Sequence, residues 1–482
     1  MRISLVNPPF LPEFGRYSRT SRSPAITKSG TVYYPFWLLY GAAALERAGH
    51  EIDVVDAPPA RLNDNDVLRR AADFEPELIV VNTSTPSIGS DGLFASRLKE
   101  TAGRPFTVLV GTHVTARPSD GLSEPAVDAV CLGEYDRTLV ELAAALSADD
   151  DWKRVKGLAY RQRDNVVEND RQSPLEELNG RPYLAEMVKK YLRVEDYFFA
   201  AARYPMITMI TGRGCPHKCV FCLYPQVFHG NKYRLRSPGD VVDEFECIAS
   251  ELPQVREVVI EDDTFSANKK RVKEICELLI ERRIKTRWSA NVRANLDYET
   301  MVAMRRAGCR LIIVGYESGD QRVLDLMNKG TTLEQQLEFA RAARRAGLLV
   351  HGCFMAGTPG ETRESLKRTL DFAIKLAPDT AQFFPLMVYP GTRAYAWAEE
   401  NGYLTTSDFR EWVTAEGLHN CVVSTEALSA RELVEFCDYA RRRFYLRPRY
   451  ILRKAFQGVL HPSEGLRTFL SFKVFAKHLF KR

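Results

Sequence analysis

No stretch of the 482 residues approaches the roughly 20 consecutive apolar residues that a membrane-spanning helix requires. The opening MRISLVNPPF runs straight into a strand-like segment, without the apolar core or small-residue cleavage site of a secretory leader, so a cytoplasmic location is expected. Cysteine is sparse, ten in all. Seven of the ten (Cys131, Cys247, Cys276, Cys309, Cys353, Cys421 and Cys437) stand singly, mostly inside apolar segments, and read as reduced core thiols rather than a disulfide framework. No second cysteine cluster is present, and no segment reads as a DNA-binding or output module, which argues against a sensor and a nucleic-acid partner. What remains, 45% hydrophobic and 27% charged, is an ordinary globular composition long enough for two to four domains.

The first 148 residues alternate strand and helix patterns. RISLVNPP, EIDVVDAP, ELIVVNTST, FTVLVGTH and VDAVCLGE are short β-rich runs ending in turn residues, separated by helical stretches such as WLLYGAAALERAG. This predicts a doubly wound, Rossmann-like parallel sheet whose ligand would lie beyond the carboxyl ends of the strands. Asn7, Thr83, Ser84, Thr85, Gly111, His113, Gly133 and Glu134 fall there, although such residues also serve as plain turn formers. Residues 149–200 read as a connector containing a small hairpin. A second series over 201–405 holds six strand-helix units (beginning PMITMITGRGC, EVVIEDDTF, TRWSANVRA, RLIIVGYESG, LVHGCFMAGTPGE and AQFFPLMVYPGT), which predicts an open partial barrel rather than a closed one of eight. Residues 406–482 are expected to form a helical, basic region.

The densest chemistry is RGCPHKCVFC, residues 213–222, in which Cys215, Cys219 and Cys222 stand as C-x3-C-x2-C. Three thiolates are one short of a closed metal site. Holding a four-iron cluster, they would leave one iron with an open position for a small chelating ligand. A zinc site completed by His217 is the bland alternative, although structural zinc ligands usually come in two separated pairs.

That motif, with Phe221 just before its third cysteine, resembles the radical S-adenosylmethionine (radical SAM) enzymes. GTHVTARPSDGL and VDAVCLGEYDRTL upstream resemble the cobalamin-binding domain that many of them carry, and CLYPQ, EDDTF, GYESG, GTPGET and YPGT are closest in wording to those of hopanoid-lipid biosynthesis. The resemblance implies that Cys215, Cys219 and Cys222 bind a 4Fe-4S cluster whose fourth iron is chelated by S-adenosylmethionine. An external donor of the flavodoxin or ferredoxin type would supply one electron, and the cleaved sulfonium would yield a 5'-deoxyadenosyl radical. It further implies that Glu261, Asp262 and Asp263 are candidates for the methionine amine, and Ser289, Arg293 and Glu317 for the carboxylate and ribose. Gly357 and Gly360 would lie along the adenine, where a side chain would collide. The plainer role for Asp263 or Thr264 is to cap the following helix. The D-x-H-x-x-G motif that supplies a histidine beneath cobalt is absent, so cobalamin is expected base-off, its lower face meeting the loop of residues 83–87.

The expected activity is methylation or rearrangement at an unreactive carbon, with oxidative cyclisation or methylthiolation without cobalamin chemistry as the alternative. Tyr316, His351, Phe354, Met387 and Tyr389 are consistent with a small-molecule or lipid substrate at the barrel mouth, or with packing alone. Residues 441–482 carry twelve Lys and Arg against one acid, Glu464, while the whole chain is only +5, so the rest is net acidic. On a helical wheel Phe469, Phe472, Phe475, Leu479 and Phe480 gather opposite Arg467, Lys473, Lys477 and Lys481. This fits either a helix packed on the barrel or one lying at an anionic membrane surface.

Overall fold

The computed structural model describes residues 1–10, 16–20, 22–27, 29–460 and 464–465. Five parallel strands, β1 (Arg2–Asn7), β2 (Glu51–Asp56), β3 (Leu78–Asn82), β4 (Phe106–Val110) and β5 (Ala129–Cys131), form the first sheet. Val- and Leu-rich β3 is buried throughout, as a strand covered on both faces must be. The predicted hairpin is β6 (Leu158–Gln162) and β7 (Asn165–Glu168). It does not float in a connector: β6 pairs antiparallel with β5 and extends the sheet to seven strands in the order β2-β1-β3-β4-β5-β6-β7.

The rest of the predicted connector is a wedge. The helix Leu184–Tyr191 buries Leu184, Ala185, Met187 and Val188, and one apolar cluster runs from Ile3, Leu5 and Val80 of the first sheet into Met206, Val259 and Ile312 of the second. The two sheets therefore share a core.

The second sheet holds β8 (Met206–Met209), β11 (Glu257–Ile260), β12 (Arg287–Val292), β13 (Cys309–Glu317), β14 (Leu349–Ala356) and β15 (Thr380–Pro385), all parallel in sequence order. β8 and β15 do not pair, so the barrel is open, as expected. A two-stranded ribbon, β9 (Gly212–Arg213) with β10 (Arg234–Leu235), brackets the cysteine loop. Residues 403–428 are mostly irregular, with isolated bridges such as Leu404 to Val423. Among the described residues the α-helices of the C-terminal region are Ala430–Tyr445 and Pro448–Leu460, because Gly402, Gly417 and scattered polar residues break any longer helical period before then. The Phe469 to Phe480 stretch lies outside the described residues.

Candidate active site

The cysteine loop is built at the carboxyl end of β8. Gly214 makes it possible: its φ is +85°, and a Cβ there would overlap the Lys232 carbonyl oxygen. Side-chain amides then fix the loop's backbone. Gln226 Nε2 donates to the carbonyls of Cys219 (3.2 Å), Val220 (3.0 Å) and Cys222 (2.8 Å). Asn231 Nδ2 donates to Cys215 and His217 (both 3.0 Å), and Asn328 Nδ2 to Lys218 (3.0 Å). These six bonds leave the three sulfurs pre-arranged, the usual role of groups behind a metal ligand set.

The thiols are neighbours that disfavour one another's ionisation. Burial first, then Asp263 and Cys219, push the Cys215 thiol up to about 11, and the same causes raise Cys222 well above the ordinary thiol range. Cationic neighbours oppose this: Arg293 at Cys215, with Nη1 4.0 Å from the Cys219 sulfur, and Arg22 at Cys222. A set of three such thiols becomes a stable trianion only around a positively charged centre. His217, in the same loop, is held neutral by burial and by Arg293 and Lys329. Three thiolates at this sequence spacing suit a multi-iron cluster with one iron left open.

The acidic strand end of β11 divides its work. Glu261 Oε2 accepts from Arg22 (2.8 Å) and Asn291 (2.9 Å), leaving Oε1 for a further donor. Asp262 is not available to a ligand. Its carboxylate accepts from Thr211 N and Oγ1 (both 2.6 Å) and Gly212 N (3.2 Å), so it braces the approach to the cysteine loop instead. Asp263 lies 3.7 Å from Arg22. Neither Asp263 nor Thr264 caps the next helix, a role taken by Asn268, whose side chain accepts from Arg271 N.

On β12 the Ser289 hydroxyl, and just past its end Arg293 Nε, are buried without a protein partner. Buried donors are as a rule satisfied, and these two, close to the cysteine loop, are free to serve a ligand. Glu317, at φ +65° on a bulge between β13 and β14, pairs with Lys329 (2.8 Å), whose ammonium lies over the Phe221 ring. A non-glycine residue held in that region is strained, and strain of this kind collects at functional sites.

Two sequence signals missed part of this arrangement. Arg22 sits in the low-complexity run TSRSPA, yet its guanidinium reaches from the first domain to Glu261 and the carbonyls of Glu261 (3.0 Å) and Asp262 (2.9 Å). Cys353, expected as a core thiol, is half-buried on β14, and the charges acting on it are Glu317, Lys329, Arg22 and Glu261, which places it in the same space. Strand alternation gave the clue: its neighbours Gly352 and Phe354 are buried on the other face.

Packing accounts for several other candidates. A side chain at Gly357 or Gly360 would meet Leu433 or Leu326, so protein neighbours and positive φ by themselves account for these glycines. Tyr316 and Phe354 point outward into an aromatic stack with Phe383. Met387 and Tyr389 join an apolar cluster with Leu223 and Trp412, and His351 Nδ1 bonds Thr380 (2.7 Å).

In the first domain, Gly111 (φ +130°) and Gly133 (φ +81°) carry the strand-end turns. The side chains around them are engaged. Thr83 Oγ1 donates to the Val110 carbonyl, Ser84 bonds Tyr17 and Ser87, and His113 has both ring nitrogens occupied, by Thr85 (3.2 Å) and Asp120 (3.1 Å). Glu134, expected to face a cofactor, is the main tie between domains. It accepts from His229 (2.8 Å), Arg213 (3.1 Å) and Arg234, and although burial opposes its ionisation, these partners hold it well below the usual carboxylate range. Arg213, inside the cysteine motif, also pairs with Asp136 (2.7 Å). The carboxyl edge of the sheet thus faces the cysteine loop directly.

Comparison with known proteins agrees with this architecture. The radical SAM superfamily model matches residues 209–373, and the B12 binding domain model matches residues 22–143. An uncharacterized methyltransferase of Pyrococcus horikoshii is 30% identical over 430 residues, covering 89% of this chain and 91% of the relative. An anaerobic magnesium-protoporphyrin IX monomethyl ester cyclase of Cereibacter sphaeroides is 27% identical, covering 86% of this chain and 67% of its own. Among solved structures, the radical S-adenosylmethionine methyltransferase TsrM of Kitasatospora setae, with cobalamin and a [4Fe-4S] cluster bound, superposes with a TM-score of 0.67 at 20% identity, covering 84% of this chain and 79% of its own. The chain belongs to the radical SAM superfamily, in the branch that carries a B12-binding domain ahead of the barrel.

Proposed function

We propose that the protein is a cobalamin-dependent radical SAM enzyme that methylates, or rearranges at, an unactivated carbon of a small-molecule substrate. The observation that carries this reading is the meeting of two half-sites: three braced thiols beside unpartnered Ser289 and Arg293 donors, facing the carboxyl edge of a B12-type sheet. Cys215, Cys219 and Cys222 would hold the 4Fe-4S cluster. That cluster would supply one-electron reductive cleavage of S-adenosylmethionine, its electron coming from a flavodoxin or ferredoxin type donor. Glu261 Oε1 would accept from the methionine ammonium, which needs a carboxylate partner in a dry site. The Ser289 hydroxyl and Arg293 Nε would donate to its carboxylate and ribose oxygens. With both His113 nitrogens engaged, cobalamin would be held at Gly111, Gly133 and the loop of residues 83–87 without that histidine, hence base-off.

The cyclase relative favours a second reading, oxidative ring closure without methyl transfer. One experiment tests both. The full chain, reconstituted anaerobically with hydroxocobalamin, is incubated with methyl-labelled S-adenosylmethionine and small-molecule extracts. Label appearing in a carbon-bound methyl group supports the first reading. A product that has lost hydrogen without gaining label supports the second.

A peripheral membrane position is also proposed. Leu452, Phe456 and Val459, exposed on one face of Pro448–Leu460, stand beside Arg449, a pattern that suits anionic headgroups. Co-sedimentation with anionic but not neutral vesicles tests it.

A further inference from the structure

The end of the barrel opposite the cysteines holds a cavity of about 730 Å³, between the amino ends of β12, β13 and β14 and the helix Pro448–Leu460. Six arginines line it: Arg203, Arg287, Arg305, Arg310, Arg344 and Arg453. Only two acids do, Asp379 and Glu464, and both are already matched. Glu464 pairs with Arg203 (3.2 Å) and Arg310 (3.3 Å), and Asp379 with Lys454 (3.0 Å). Arg310 is further satisfied by Glu257 (2.7 Å).

Arg287, Arg305, Arg344 and Arg453 have no carboxylate partner among the described residues. Arg344 donates only to the Leu376 carbonyl, and Arg453 only to those of Ala377 and Pro378, with its Nε buried and unpartnered. Four unmatched guanidiniums around one concavity repel one another and focus a positive potential into it, which an anion entering would relieve. A second observation points the same way: the Tyr316 hydroxyl, on the cavity wall and beside Arg344, is fully buried and has no hydrogen-bond partner. It is a donor waiting for an acceptor. Leu348, Leu349 and Leu460 supply an apolar remainder, and the volume lies within the usual range of roughly 300–1,000 Å³ for small-molecule sites.

We propose that this cavity binds a phosphate ester with an apolar body. Guanidinium forks match phosphate oxygens in pairs, and the leucines would cover the ester group. Strands of six to nine residues separate the arginines at their amino ends from the cysteine rim, about 20–30 Å at strand rise, so an anion held by those arginines is kept away from the radical chemistry and is not its substrate.

Glycerol 3-phosphate and vesicles containing phosphatidic acid are the two probes, distinguishing a free ester from a lipid headgroup. Binding to the full chain is followed by calorimetry for the first and co-sedimentation for the second. Saturable binding of either probe that falls about tenfold or more in the Arg305→Gln, Arg344→Gln double variant supports the site and names its source. Arg306→Gln, one residue along and outside the lining, should bind as the native chain does, which separates the cavity from general surface charge. The proposal is overturned if neither probe binds, or if the double variant binds as tightly as the native chain. Cavity variants that still give the native circular dichroism spectrum make either result decisive.

Discussion

Glu361 offers a quantitative check on the loop that follows β14. Its Oε2 accepts from Gly357 N (2.5 Å), Thr358 N (3.1 Å) and Thr358 Oγ1 (3.3 Å), while Oε1 is buried without a partner. The side chain is only 4% exposed. Burial pushes its carboxyl from 4.5 up to about 7, against the lowering effect of those hydrogen bonds. The folded state therefore binds a proton that the unfolded state has released between pH 4.5 and about 7, and stability falls as pH rises through that window. At 1.36 kcal/mol per unit, the loss above pH 7 is about 3 kcal/mol. Glu361→Gln mimics the protonated form, keeping an acceptor for the two backbone N–H groups. Urea unfolding of the apo chain should find the variant equal to the native at pH 5 and more stable by up to about 3 kcal/mol at pH 8. A variant less stable at pH 8, or one showing the native pH slope, would refute the reasoning.

Further outcomes follow from the same geometry. Cys219→Ala should abolish cleavage of S-adenosylmethionine, whereas Cys276→Ala, deep in the helix Lys269–Glu281, should cost only about 1 kcal/mol of stability, read by urea midpoints. Gly214→Ala puts a Cβ into the Lys232 carbonyl at a left-handed φ, and iron content after reconstitution should drop. Gln226→Ala removes three bonds to the loop carbonyls and should weaken iron retention by about tenfold or more, measured by chelator challenge. Arg22→Ala should lower 5'-deoxyadenosine formation while leaving iron content and thermal unfolding near native; unchanged turnover would show that the Arg22 contact to Glu261 is idle.

Strand and helix order were legible because buried parallel strands write themselves as Val, Ile and Leu runs ending in Gly, Asn and Thr, and both sheets appear where such runs occur. The cysteine motif was legible because three thiols at that spacing serve few other ends. What pairwise contact decides was not. Asp262 and Glu261 are adjacent and chemically alike, and only the fold turns one toward Thr211 and the other toward Arg22. Glu134 looked like a cofactor contact because it ends a strand, but Arg213 and Arg234 come from 79 and 100 residues away. Arg22 and Cys353 carried no local signal, since a charge in a polar run and a thiol in an apolar one are each ordinary until tertiary structure brings them together. The hairpin's docking onto β5 was likewise hidden, because an edge pairing leaves no periodicity in the strand that accepts it.

The central claim is that Cys215, Cys219 and Cys222 hold a cluster competent to cleave S-adenosylmethionine. The full chain, reconstituted anaerobically with iron and sulfide and reduced by dithionite, is incubated with S-adenosylmethionine and assayed by mass spectrometry. The account predicts 5'-deoxyadenosine and methionine from the native chain and neither from Cys219→Ala. A native chain loaded with a 4Fe-4S cluster that forms no 5'-deoxyadenosine, or a Cys219→Ala variant that forms it normally, would contradict it.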